Sequence, residues 1–185
     1  MKKAFKMMFI ALLTLSMFAC GEKKLTFNDM KKAEATLFKE DGSLDTLKVP
    51  GVVEKYCQFV KQNPTDSTAS LWLYHAMELN VMLRNVEKSK ELCDQLTEQY
   101  PDSKWTPRGL YILGSFIYED ELKDLDKAEE IYDRILADYP DCDVIKSVEA
   151  SKRYLGWPPE KIMADIQLQQ FQEGPTFIDT IVDEE

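Results

Sequence analysis

One histidine, four cysteines and 33 carboxylates are the side chains of this 185-residue chain that could carry chemistry. His75 stands alone, so neither a Ser-His-Asp relay nor a two-histidine metal site can be assembled around it. Its place beside Ala76 suits a core or groove histidine. The cysteines, Cys20, Cys57, Cys93 and Cys142, lack the Cys-x-x-Cys spacing of redox and zinc sites, and no glycine-rich loop opens a helix that could cradle phosphate. Glu119-Asp120, Glu129-Glu130 and Asp183-Glu184 have the composition of acid-base or calcium-binding pairs. None belongs to an interleaved loop ending in glutamate, and in so acidic a chain such pairs arise on solvated helix faces. No catalytic residue, metal ligand or cofactor is assigned, and the chain reads as a non-enzyme.

The elements that would position these residues are repetitive. Asn63-Pro64-Thr65-Asp66-Ser67, Tyr100-Pro101-Asp102-Ser103 and Tyr139-Pro140-Asp141-Cys142 each close an amphipathic stretch, and their prolines are 37 and 39 residues apart. That period marks helix-pair modules, which bury their apolar faces by stacking on one another. Helical spacing begins at Thr26, with Phe27, Met30, Ala33 and Leu37, and resumes at Val53, Tyr56, Phe59 and Val60. Gly42-Ser43 and Pro50-Gly51 bound a loop between these two helices, and no segment before the tail alternates convincingly at period two.

Asp66 or Ser67 caps a helix to about Leu83, and Asn85 caps the next, to Tyr100. Ser103 caps a helix that carries Pro107 in its first turn, and Asp124 caps one over Leu125 to Tyr139. Glu130 and Arg134 form an i,i+4 pair on its solvent face. A weaker fourth pair runs from Asp143 to Leu155, turns at Gly156-Trp157 and restarts at Pro158-Pro159. The expectation is an all-α fold, a short α-solenoid of about four helical hairpins over residues 26–172. The tail, 173–185, reads as flexible or as an extended strand-like segment.

The first residues carry an address. Lys2, Lys3 and Lys6 precede an uncharged run from Met7 to Ala19, too short to span a bilayer, which predicts a signal peptide over 1–19. Ser16-Met17-Phe18-Ala19-Cys20 resembles the lipobox of bacterial lipoproteins. That resemblance implies an acylated Cys20 as mature N-terminus, followed by a short tether over 20–25. Acyl chains on Cys20 would anchor the protein durably. Gly21 in place of an acidic residue points, by the same resemblance, to the outer membrane, with the protein facing the periplasm. Loss of the leader leaves 20 basic and 33 acidic residues, a net charge of −13, which disfavours nucleic acid and anionic lipid surfaces. With Cys20 set aside, Cys57, Cys93 and Cys142 read as buried small apolar thiols.

The helical pattern resembles the tetratricopeptide repeat. Leu113-Gly114, Ala128, Tyr132 and Pro140 match its signature best, and Trp72 and Ala76 repeat it one module earlier, where Ser89 and Cys93 replace the alanine and aromatic. Gly114 and Ala128 let paired helices approach closely while Tyr132 fills the space beside them. As a class, the chain resembles lipoproteins that join a lipobox to such repeats, among them one component of the outer-membrane β-barrel assembly machine.

The resemblance implies a groove lined by set positions of each first helix: Ser70, Leu73, Met77, Asn80 and Val81, then Arg108, Tyr111, Ser115, Tyr118 and Glu119. Seven residues separate Tyr111 from Tyr118, which on an α-helix sets them on one face beside Arg108 and Glu119, a hot-spot mixture. The tyrosines either line this groove or bury against the next module. Arg108 is the main cation of the strip, so a partner segment is expected to be only partly acidic. Two functions follow as expectations. One is a lipid-anchored interaction module or scaffold for envelope proteins; the other is a subunit binding peptidoglycan or another small envelope ligand, with Trp72, Trp105 or Tyr111 stacking on it.

Overall fold

The structure, a computed structural model, describes residues 23–173. The leader, Cys20 and the tail beyond Glu173 lie outside the described residues. Within them are α1 (Phe27–Ala35), α2 (Val49–Gln62), α3 (Ala69–Met82), α4 (Val86–Gln99), α5 (Trp105–Ile112) continuing as a π-helical segment (Leu113–Glu121), α6 (Leu125–Asp138), α7 (Ile145–Tyr154) and α8 (Pro159–Glu173). The all-α class and the succession of helical hairpins match the expectation.

The proline-marked turns share one backbone design. Asn63, Tyr100 and Tyr139 end their helices at φ/ψ of −137/56, −136/52 and −134/52 degrees. A following proline keeps these residues out of the α region, so each helix must stop there. Three residues on, Asp66, Ser103 and Cys142 donate their amides back to those terminal carbonyls at 3.0, 3.0 and 3.1 Å. A second such bond follows, from Ala69, Thr106 and Ile145, and starts the next helix. The expected caps are present at Asn85 and Asp124, whose side chains accept from the amides of Lys88 and Lys127.

The chain divides into two compact units, Met1–Trp72 and Leu73–Glu185. In the first, Thr26 and Asp29 form a reciprocal capping box at the start of α1. The Leu25 amide donates to the Gln62 side chain at 2.8 Å, tying the entry of α1 to the end of α2. Met30, Val49, Tyr56, Phe59 and Trp72 are buried, with the rings of Tyr56 and Phe27 at 5.0 and 5.6 Å from Trp72. Pro50 and Gly51, expected to bound a loop, lie instead in the first turn of α2, where a missing N–H leaves no bond unmade. Between α1 and α2 a tight loop with Gly42 at φ 79° makes one antiparallel bridge, Phe38 to Leu44, too short to show as period-two alternation.

In the second unit, successive helices stack in solenoid fashion. Close approach depends on glycines. A Cβ on Gly109 would stand 2.8 Å from Leu96 Cδ2, and one on Gly114 would stand 2.8 Å from Tyr132 Cε1. Ala128 and Tyr132 are fully buried, as the packing reading of the motif requires. Leu92, Cys93 and Leu96 of α4 and Ile117 of the π segment complete this core, with Ile135 of α6 and Val148 of α7. Cys57 and Cys142 are half-buried, so the expected buried thiol is found only at Cys93, whose pKa burial pushes up to about 12.

Candidate functional site

The expected groove residues divide sharply. Leu73 and Met77 have no exposed surface, and Ser70 and Asn80 are buried. Met77 Sδ would lie 3.5 Å from a Cβ on Gly109, so it belongs to the interior. Asn80 donates to the Ala76 carbonyl at 2.7 Å and accepts from the Asn85 side chain at 3.2 Å. These residues of α3 do not form an open strip. Sequence spacing shows which residues share a helix face, and which face lies open depends on neighbours far along the chain.

The second set is half-buried and heavily engaged. Arg108 grips Asp143 at the start of the fourth hairpin, with Nε at 3.1 and 3.0 Å from the two carboxylate oxygens and a further bond from Nη2. This pairing holds the Asp143 carboxyl below the usual carboxylate range and raises the Arg108 guanidinium. The expected main cation of the strip is thus already matched by an internal carboxylate. Its guanidinium also lies 4.8 Å from the Trp105 ring centroid.

Tyr111 and Tyr118 do not share a face. Tyr111 Oη is 3.2 Å from Ser151 Oγ of α7, and its ring is 6.3 Å from that of Tyr132 on α6. Tyr118 instead meets α4, where Lys90 Nζ lies 5.8 Å from its ring centroid. Seven residues complete about two turns of an α-helix, but the wider i→i+5 winding that starts at Leu113 turns less per residue and breaks that register. Leu122 N bonds Ile117 O at 2.9 Å across this wider turn. Ser115 donates to the Tyr111 carbonyl at 2.8 Å, and Glu119 accepts from the Tyr132 hydroxyl at 2.8 Å. Burial, then this bond, raise the Tyr132 pKa. The π segment carries no composition or spacing that a sequence reading could have used to place it.

His75 bonds Glu78 Oε2 through Nδ1 at 2.8 Å, and its ring lies 6.2 Å from that of Trp105. Tyr74 is 5.1 Å from Trp105, and Lys104 Nζ is 5.0 Å from the Trp105 ring centroid. The rings expected to stack on an envelope ligand are thus engaged: Trp72 is fully buried, Trp105 is surrounded by Tyr74, His75, Lys104 and Arg108, and Tyr111 meets Ser151 and Tyr132. On α6, Glu130 pairs with Lys127 at 2.6 Å and Arg134 with Asp138 at 3.6 Å, in place of the expected Glu130–Arg134 contact. Among the described residues no cluster of three or more His, Cys, Asp or Glu could hold a metal ion, and no helix is long and apolar enough to cross a membrane.

What this geometry offers is a stack of helical hairpins whose polar side chains tie helix to helix. Such a design defines a helical-repeat protein of the interaction class. Residues 73–103 and 109–141, about a third of the chain, match the tetratricopeptide repeat, so the chain contains two such repeats. No curated protein and no solved structure matches the chain.

Proposed function

We propose that this protein is a lipid-anchored interaction module of the bacterial cell envelope, held to the outer membrane through an acylated Cys20, facing the periplasm and engaging other envelope proteins without catalysis. The observation that carries the interaction reading is the pair of matched repeats at 73–103 and 109–141, a module whose general use is to grip protein segments. The address rests on sequence. An uncharged run from Met7 to Ala19 follows three lysines and ends at Ala19-Cys20-Gly21. Several acyl chains on one residue, at about 0.8 kcal/mol per buried methylene, would suffice for attachment without help from a basic patch, in a chain of net charge −10.

Crosslinking of the native protein in intact cells, with mass spectrometry of the attached species, tests the partner reading. Crosslinks from residues 73–141 to one or two envelope proteins support it. Retention of the purified protein on peptidoglycan, with only diffuse crosslinks to abundant neighbours, would replace it with ligand binding. Fractionation of Cys20→Ser tests the anchor. The variant is expected to leave the membrane fraction or to retain its leader, and a processed variant still sedimenting with outer membrane would show that protein contacts hold it there.

A further inference from the structure

Between the end of α3 and the π segment lies a cleft of about 290 Å³ that none of the expected groove residues except Val81 lines. Its apolar wall is Val81, Met82, Phe116 and Ile117, and its rim is Arg84, Asp120 and Glu121. Met82 is 62% exposed and Phe116 53%, whereas Ile117 next to it is buried. A soluble surface does not usually present two large apolar side chains over one concavity unless something covers them. Phe116 and Ile117 are set by the π segment, an uncommon geometry that recurs at functional sites.

The volume lies at the lower end of the range for small-molecule pockets, so the cleft suits one bulky side chain rather than a cofactor. The rim selects the rest of the ligand. Arg84 is committed to Glu121 at 2.8 Å, which leaves the Asp120 carboxylate as the rim charge unmatched among the described residues, in a chain of net charge −10. An acidic or anionic occupant would be repelled, whereas Lys or Arg beside an apolar anchor would be attracted.

Resting on the interaction reading above, we propose that this cleft docks a basic amphipathic helical segment of a partner protein, which inserts one bulky apolar side chain between Met82 and Phe116 and sets Lys or Arg against Asp120. The mode is helix-in-groove recognition, with the apolar anchor supplying affinity and the rim supplying sign selection. Val81 apart, it uses none of the expected strip, and from the π segment it takes Phe116, Ile117, Asp120 and Glu121 rather than Ser115 and Glu119.

The test uses the full chain and a fluorescent 16-residue helical peptide with leucines along one face and lysines along the other, beside a twin carrying glutamates for the lysines. Fluorescence anisotropy is expected to show binding of the lysine peptide only. Phe116→Ser should weaken it by about tenfold, the effect of losing one well-buried anchor. Asp120→Asn should weaken it several-fold and flatten its salt dependence, and Leu168→Ser, an exposed apolar control on α8, should leave it unchanged. Equal binding of the lysine peptide by wild type and Phe116→Ser overturns the proposal. So does self-association abolished by Phe116→Ser, which would assign the cleft to a second copy, or Phe116-dependent binding to zwitterionic vesicles, which would assign it to lipid. If crosslinks in cells identify a partner at another surface while Phe116→Ser changes nothing, this docking site fails and the interaction reading stands.

Discussion

The hydroxyl of Tyr132, fully buried on α6, donates a 2.8 Å hydrogen bond to the carboxylate of Glu119 in the π segment. The bond links a fully buried aromatic of the repeat motif to a residue that the family resemblance assigns to the groove. A hydrogen bond to a charged acceptor contributes about 1.5 kcal/mol or more. Tyr132→Phe should therefore lower stability by about that amount with helix content unchanged, read as a shift in urea midpoint at constant slope. An unshifted midpoint would mean that solvent serves both groups equally well.

Gly114 allows that arrangement. A methyl group there would lie 2.8 Å from Tyr132 Cε1 and 3.3 Å from Ile131 Cγ2, and the ring cannot swing aside while its hydroxyl is held. Overpacking costs about 1–3 kcal/mol, against a helix-propensity gain of about 1 kcal/mol for Ala over Gly. Gly114→Ala is expected to destabilise on balance, and Gly114→Ala with Tyr132→Phe to lose less than the sum of the two, since the freed ring can move.

Lys123, in the turn between the π segment and α6, has φ 56°, as Arg84 has φ 55° in the turn between α3 and α4. Side chains with a Cβ are disfavoured there, and glycine is the usual residue after a helix. Lys123→Gly should raise stability by about 0.5–1 kcal/mol in thermal unfolding, once the extra entropy of glycine in the unfolded chain is counted. Arg84→Gly should gain less, because it also removes the pairing with Glu121.

Arg108 and Asp143 predict an acid sensitivity. Asp143 is held below its ordinary 3.8 chiefly by the Arg108 hydrogen bonds. On acidification the unfolded chain therefore takes up this proton before the folded one does. The stabilisation is complete above about pH 4 and is lost as pH falls through the lower folded-state value. Asp143→Asn should flatten the stability profile between pH 5 and 3 without abolishing its slope, because Asp29, Asp41 and Asp66 are lowered by their own hydrogen bonds and titrate in the same direction. An unchanged acid limb would show that the pair contributes nothing in solution.

Tyr56 in the first unit is 1% exposed, and its hydroxyl has no hydrogen-bond partner among the described residues. Burial raises its pKa accordingly. Leaving such a group unmatched costs about 1–3 kcal/mol, so Tyr56→Phe should be stabilising by about 1 kcal/mol in chemical denaturation. A loss of stability would reveal a bound water serving the hydroxyl.

The repeat itself was legible in the chain. Asn63-Pro64, Tyr100-Pro101 and Tyr139-Pro140 stop their helices through a local steric effect that needs no tertiary partner, and Asn85 and Asp124 cap theirs through side chains three residues from the amides they bond. Gly114, Ala128 and Tyr132 were readable because close helix approach restricts residue size at fixed offsets.

Tertiary structure alone decided which faces are open. Leu73, Met77 and Asn80 sit at positions the family resemblance assigns to the groove yet are buried, and Arg108 is matched by Asp143, 35 residues away, a partner no local pattern announces. The π winding from Leu113 to Glu121 turned Tyr118 toward Lys90, away from the α-helical face on which Tyr111 meets Ser151. It also left Phe116 exposed over the cleft. Exposure is set by packing against distant segments, and sequence periodicity records only the angular step of an ideal helix.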